Sequence, residues 1–299
     1  MKKIIAAFDG LNFSESNLKF ALQIAEQEKC HLTGVFLDDR TYTSYKIYDL
    51  VFEEGVSESK MSRLKHEDQE KRKAATNKFE QECVIHKLNF NVHHDKNYAI
   101  KELIHESIFA DLLIVSRQES FSHHQEKFPS HFIKETLLSA QCPILLTPEA
   151  HHITEKIIFL YDGHPDSILA LKMFVYLLPG FLNLPIEVIS VKAMEDNLHL
   201  PDGFLMKEWI KKYFSKSEFV VLKGIPDLEI VAHLQREQSS CMVVLGSYHR
   251  SGFSMWLRSS MADVLAKNFD MPLLFRIKAN RIGFAYTYSL GRLHRRSFF

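Results

Sequence analysis

Short apolar runs alternate with segments of helical period along this chain, and the alternation predicts its secondary structure. Strands are predicted at residues 2–8, 31–37, 90–94, 111–116 and 143–147, and then at 155–161, 185–191, 218–223, 241–246 and 272–277. Helices are predicted at 14–28, 59–87, 98–109 and 131–140, and then at 165–179, 202–214, 226–238 and 259–268. Runs such as Leu112–Val115 and Met242–Leu245 lack polar alternation, which is typical of strands buried on both faces. The pattern therefore predicts an α/β fold with doubly wound parallel sheets.

The chain also repeats itself, because three apolar segments of the first half return in the same order in the second. The matching segments are Lys3–Gly10 with Lys156–Gly163, Ala110–Ser116 with Ser240–Gly246, and Cys142–Leu146 with Met271–Phe275. Three matches in register indicate a duplicated domain. We therefore expect one domain over residues 1–149, a second over 153–278, and a basic, aromatic tail over 279–299 that we expect to be disordered.

The amino-acid composition indicates a globular protein without a membrane helix. The 299 residues are 46% hydrophobic and 25% charged, which is typical of a globular chain, and no apolar run is long enough for a membrane helix. The amino terminus places Asp9 after a short apolar run and predicts a first strand instead of a signal peptide. Four cysteines without a CxxC motif favour reduced thiols and a cytoplasmic location.

The distribution of charge and the spacing of the histidines argue against a nucleic-acid-binding protein and against a metal site. Net charge is zero, and the positive excess of the second half comes from four arginines of the tail, so neither domain offers the basic surface of a nucleic-acid binder. Histidine doublets such as His93-His94 invite a metal hypothesis, but adjacent strand residues point to opposite faces, and no zinc-motif spacing occurs. We predict no metal site. Because GxSxG, HExxH and Walker-type motifs are absent, catalysis is unsupported although not excluded, and no catalytic residue is assigned.

A ligand site is expected at the carboxyl ends of the strands, where the strand order of a doubly wound sheet reverses. For the order 3-2-1-4-5, this crevice lies between strands one and four. Asp9 and Asp162 follow strand one in the two halves, while the segments from Ser116 and Gly246 follow strand four. The two aspartates are equally well explained as helix N-caps at the turn, which does not exclude contact with a ligand.

The loop after strand four of the second half carries the most chemistry. Gly246 and Gly252 allow close approach of the backbone, Arg250 supplies a cation, and Ser259-Ser260 opens a predicted helix. Because a helix N-terminus offers free N–H groups and a positive dipole end, this pattern suits a phosphate.

The order of elements, the aspartate that closes strand one and this loop resemble the universal stress protein family in its tandem two-domain form, over residues 2–278. Its adenine-nucleotide-binding branch has glycine, two residues, glycine, nine residues, glycine, then serine or threonine. Gly246 and Ser260 match the first and last positions, whereas His249 and Ser259 replace the second and third glycines.

The resemblance implies two five-stranded sheets of order 3-2-1-4-5, adenine nucleotide alpha hydrolase-like, that pair through their fifth strands as an intrachain pseudo-dimer. It also implies weak ATP binding in the second domain only. The residues that it assigns to the nucleotide are Asp162, Gly163, Val191, Gly246, Ser247, His249, Arg250, Gly252, Ser259 and Ser260.

The first half departs further from the family pattern. Ser116 replaces the first glycine, the following loop to Pro129 has no glycine, and Ser130 and His131 take the closing pair. Glu119 and Glu126 would repel a polyphosphate. We interpret this nucleotide site as lost.

The sequence is consistent with three functions. The first is a universal stress protein-like regulatory protein that acts by binding protein partners and an adenine nucleotide. The second is a ligand-free interaction module with both sites vestigial, and the third is an ATP-using enzyme on the same fold. The sequence does not name protein partners, and it leaves further dimerisation open.

Overall fold

The structure is a computed structural model of the 299-residue chain. It describes residues 1–37, 58–95, 98–121, 126, 128–194, 197–237, 240–247 and 259–276. The predicted tail 279–299 lies outside the described residues, as do His249, Arg250 and Gly252 of the predicted site.

All ten predicted strands and all eight predicted helices are present. The strands are β1 (Lys3–Phe8), β2 (His31–Leu37), β3 (Phe90–Asp95), β4 (Leu112–Ser116), β5 (Ile144–Thr147), β6 (Lys156–Leu160), β7 (Ile186–Lys192), β8 (Ser217–Lys223), β9 (Cys241–Ser247) and β10 (Leu273–Arg276). The helices are α1 (Glu15–Glu28), α2 (Glu58–Ile85), α3 (Ala99–Ser107), α4 (His131–Ser139), α5 (Pro165–Leu177), α6 (Gly203–Tyr213), α7 (Pro226–Leu234) and α8 (Ser259–Asn268), with a 3₁₀ turn at Pro179–Phe181.

Local chemistry explains where several helices begin. The hydroxyl of Ser14 accepts a hydrogen bond from the N–H of Asn17 at the start of α1, and Ser130 does the same for Ile133 at the start of α4. Helices α5 and α7 each begin with a proline, whose fixed φ suits the first helical turn.

The strands form one ten-stranded sheet of order β3-β2-β1-β4-β5-β10-β9-β6-β7-β8. Within each half the order is the predicted 3-2-1-4-5, and all pairs are parallel. The halves join where β5 and β10 run antiparallel, with Leu146 opposite Leu273 and Ile144 opposite Phe275. The predicted fold class and the pairing of the fifth strands are therefore confirmed, while the exact domain boundaries stay predictions.

Two apolar cores lie on the two faces of the sheet, and each core includes residues of both halves. Alternation along β1 sends Ile4, Ala6 and Phe8 to one core and Ile5 and Ala7 to the other. Helices α1, α2, α5 and α6 cover the first core, and α3, α4, α7 and α8 cover the second. The halves cannot separate without exposing both cores. No helix of the described residues is long and apolar enough to span a bilayer.

Arg117 makes a polar link between the halves. It follows β4 of the first half, and its Nη1 donates hydrogen bonds to the carbonyl oxygens of Ala266 (3.0 Å) and Phe269 (2.8 Å) at the end of α8. Its Nη2 lies 3.0 Å from an oxygen of the Asp270 carboxylate. A cation suits the carbonyl-rich end of a helix, so Arg117 caps the helix whose other end is the predicted phosphate site.

We expect Arg117→Met to lower the free energy of unfolding by about 1–3 kcal/mol, because two partly buried carbonyl oxygens lose a charged donor. The control is Arg63→Met on α2, because the Arg63 side chain is 80% exposed in its ion pair with Glu67 and such pairs contribute about 0–1 kcal/mol. Urea unfolding of both variants measures the difference. Equal losses in the two variants would contradict the linking role of Arg117.

Candidate functional site

The candidate site of the second half lies at the carboxyl ends of β6 and β9, where the strand order reverses. Phe159 of β6 is paired with Val244 of β9, and Leu160 is paired with Ile189 of β7. Counting onward from these pairs places Asp162, Val191 and Gly246 at one edge of the sheet. The structure therefore brings these three predicted residues together.

Asp162 holds the turn that leaves β6. Its Oδ1 accepts hydrogen bonds from the N–H of His164 (2.8 Å) and from the hydroxyl of Ser167 (3.0 Å). The N-cap of α5 is His164, whose Nδ1 accepts a hydrogen bond from the N–H of Asp166. The N-cap of α1 is Ser14. Interpreting Asp9 and Asp162 as N-caps was therefore wrong, because their carboxylates accept main-chain hydrogen bonds from Leu11 and His164, ahead of the first turn of each helix.

Gly163 is required at this turn by both conformation and space. Its φ is +85°, in the region that favours glycine, and an added Cβ would lie 2.9 Å from the side chain of Pro201. Tyr161, just before the turn, is buried. Burial raises the pKa of its phenol to about 12, and the carboxylates of Asp202 and Asp162 add to the shift. Pro201 and Asp202, which precede α6, therefore lie against the turn at Gly163.

The structure describes only some of the other predicted residues. Gly246 is buried in β9, Ser247 ends that strand, and Ser259 and Ser260 form the first positions of α8, as the sequence predicts. Val191 is buried in β7. Because His249, Arg250 and Gly252 lie outside the described residues, their part in the site stays a prediction.

Sequence reasoning missed Arg276 at this edge. It ends β10 and forms an ion pair with Asp166 in the first turn of α5, and both side chains are mostly buried. In the first half, Thr147 ends β5 and its hydroxyl instead donates to the amide oxygen of Asn17 on α1 (2.9 Å). In the internal repeat, β10 corresponds to β5 and α5 corresponds to α1. This correspondence is the sequence signal that could have indicated a polar contact between the end of β10 and α5.

In the first half, the equivalent crevice contains a buried carboxylate. Glu119 is only 4% exposed, and its Oε1 accepts no hydrogen bond from any described residue. Burial raises the pKa of the Glu119 carboxyl well above its usual value, and the nearby Asp9 carboxylate raises it further. Asp9 is itself buried after β1. Glu119 therefore lies inside the protein, a burial that the sequence pattern did not indicate.

The helix N-terminus of the first half is already occupied by the chain. The carboxylate of Glu126 accepts a hydrogen bond from the N–H of His131, the first residue of α4 (2.7 Å). The hydroxyl of Ser130 donates to the carbonyl oxygen of Glu119 (2.6 Å) and caps α4 through Ile133. Internal groups thus take the contacts that a phosphate would make.

A second titratable cluster lies at the opposite, amino edge of the second half. Glu187 of β7 is buried, and its carboxylate contacts Lys156 (2.7 Å) and His233 (2.6 Å), while Glu237 also pairs with Lys156. The first half has a similar trio, in which Glu106 contacts Lys3 and His93. In the sequence, Glu187 lies between the apolar residues Ile186 and Val188 of a predicted strand. This position was the signal that its carboxylate could be buried and in contact with a basic side chain. Among the described residues, no group of three His, Cys, Asp or Glu could hold a metal.

Comparison with solved structures gives the class of fold. The chain is similar to a universal stress protein from Archaeoglobus fulgidus, with 14% identity, 93% of this chain and 97% of that chain covered, and a TM-score of 0.64. It is similar to a putative universal stress protein from Pseudomonas aeruginosa, with 15% identity, 93% and 94% coverage, and a TM-score of 0.57. It is also similar to the cytoplasmic domain of a prokaryotic cation chloride cotransporter, with 10% identity, 93% and 95% coverage, and a TM-score of 0.51.

These likenesses confirm the sequence resemblance at the level of the fold: the chain has the two-domain fold of universal stress proteins. Neither family models nor curated protein sequences match it.

The buried position of Glu119 gives a prediction with a definite sign. The folded-state pKa of Glu119 is raised, so the folded chain holds this proton more tightly than the unfolded chain does. The resulting contribution to the free energy of unfolding is fully present below the unfolded pKa and is lost as pH rises through the folded pKa. Glu119→Gln stays neutral, so we expect it to be more stable than the wild type at pH 7 by about 1 kcal/mol or more. The gain should shrink towards pH 4.5.

Glu126→Gln, on the same loop, is the matched control. It removes a charge from the N-terminus of α4, so we expect a loss of about 0.3–1 kcal/mol at pH 7. Denaturant unfolding at pH 7 and pH 4.5 measures both variants. A Glu119→Gln variant that is less stable than the wild type at pH 7 would show that the buried charge is well paired.

Proposed function

We propose that this protein is a universal stress protein-like regulatory binding protein, and that it binds an adenine nucleotide, ATP, in its second half only. The likeness to universal stress protein structures supports the class. One observation carries the nucleotide proposal: β9 ends at Ser247 and α8 begins at Ser259, at the same sheet edge as Asp162. The N-terminal turn of a helix and a polar carboxylate at one strand-order reversal suit a nucleotide, because that turn presents N–H groups and a positive dipole end.

Each proposed contact has its own chemistry. Asp162 would contact the ribose or adenine side, with Gly163 and Val191 beside it. The backbone at Gly246, Ser247 and Gly252 and the helix start Ser259-Ser260 would meet the phosphates, together with His249 and Arg250. Since His249 and Ser259 stand where the family has glycine, we expect weaker binding than in the family's nucleotide-binding branch.

The first half would not bind the nucleotide. A polyphosphate there would face the carboxylates of Glu119 and Asp9, and Glu126 would compete for the N-terminus of α4. This self-filled crevice also favours the alternative function, a ligand-free protein-interaction module in which both nucleotide sites are vestigial. The four cysteines are buried and their thiols are not joined in disulfides, which supports a cytoplasmic location.

Titration calorimetry with ATP tests the proposal. Arg250→Glu should lower the affinity about tenfold or more, because it replaces a charge-assisted contact by repulsion. The charge-matched control is Arg236→Glu, an exposed position after α7 at the opposite edge of the sheet, which should leave the affinity unchanged. Equal effects of the two changes would contradict the assigned site.

A wild-type protein that binds no ATP would favour the ligand-free module. Mass spectrometry of small molecules released by denaturing the purified protein gives an independent reading. Released ATP supports the proposal, whereas a processed product would favour the ATP-using enzyme.

A further inference from the structure

Strand β8 ends the sheet at the outer side of the second half, and within the described residues no strand pairs with its outer side. Its centre is Phe219-Val220-Val221-Leu222, a run of apolar residues that are all only half-buried. At the other end of the sheet, β3 carries Asn91 and two histidines. Exposed strand edges are usually protected by charge, proline or bulges. By this measure β3 is the more polar edge, and the centre of β8 is unprotected.

The register shows which main-chain groups of β8 face outward. The N–H of Ile186 donates to the carbonyl of Lys216, and the N–H of Gly224 donates to the carbonyl of Lys192. Main-chain groups alternate along a strand, so even-numbered residues of β8 bond to β7. The N–H and C=O groups of Ser217, Phe219, Val221 and Lys223 therefore point away from the sheet, ready to pair with another strand.

The two helices that pack beside β8 also carry exposed apolar side chains in their first turns. Phe204 is 81% exposed and Leu205 64% exposed at the start of α6, while Ile225 and Leu228 are each 63% exposed at the start of α7. These two helices cover opposite faces of the sheet beside β8. Exposed apolar surface of this kind typically marks a protein contact.

We propose that a second copy of this chain pairs with β8, antiparallel, across a twofold axis at Val220. All seven residues of the strand then pair: Phe219 opposite Val221, Ser217 opposite Lys223, and Glu218 opposite Leu222. No two like charges lie opposite each other in this register. Because such an axis is perpendicular to the sheet, each copy's α6 lies beside the partner's α6, and α7 beside α7. The same kind of antiparallel contact already joins β5 to β10 within the chain.

Disulfide cross-linking tests the register. Val220 would lie opposite its own copy in a non-hydrogen-bonded pair, at a Cα distance of about 4.5 Å, which a disulfide can bridge. Val220→Cys should therefore form a covalent dimer on mild oxidation. Leu222→Cys is the control on the same face, because its two copies would be separated by about 13 Å along the strand. The four native cysteines are buried and should not compete.

Sedimentation of proline variants tests the contact without oxidation. Val221→Pro removes an outward N–H from β8, whereas Val92→Pro removes an outward N–H from β3, where the N–H of Leu32 donates to Asn89. We expect the wild type and Val92→Pro to be dimers and Val221→Pro to be a monomer with unchanged circular dichroism. A monomeric wild type, a dimeric Val221→Pro, or a covalent dimer of Leu222→Cys but not of Val220→Cys would overturn the proposal. If Val221→Pro does not fold, the cross-linking pair decides alone.

Discussion

The antiparallel pairing of β5 with β10 is the contact on which the rest of the architecture depends. Three residues from each strand, all buried and apolar, contribute to both cores, and their main-chain groups join two parallel sheets into one. Because the pairing reverses strand direction, the carboxyl ends of the two halves lie at opposite edges of the continuous sheet. The two crevices therefore open away from each other, and one small ligand cannot contact both.

The two crevices share a backbone plan but differ in chemistry. In the second half, the aspartate after β6 bonds a glycine turn, and α8 begins at the edge with two serines. In the first half, Glu119 is buried beside Asp9, and Glu126 bonds the first N–H of α4. A carboxylate at a helix N-terminus satisfies the same donors and dipole as a phosphate. The first half thus keeps the fold of a binding domain while its own side chains replace the ligand.

Much of the fold could be predicted from the sequence, because parallel strands buried on both faces give unbroken apolar runs such as Leu112–Val115. The strand order and the pairing of the fifth strands followed from the family resemblance. Side-chain contacts between residues distant in the sequence were not predictable. Arg117 bonds carbonyls 149 and 152 residues away, and no local pattern indicates such a partner. The burial of Glu119 was not predictable either, since burial of a carboxylate depends on packing that only the folded chain contains.

The position of β10 along the chain has a consequence for synthesis on the ribosome. Strand β5 is complete at Thr147, but its partner ends at Arg276, 129 residues later. At about 5–20 residues per second, β5 waits roughly 6 to 26 s for that partner. During this interval the first half presents an unpaired apolar edge, Ile144 to Leu146, that any neighbouring strand can extend. Nascent chains on one messenger can pair there with each other, until translation of residues 273–276 supplies the intrachain partner.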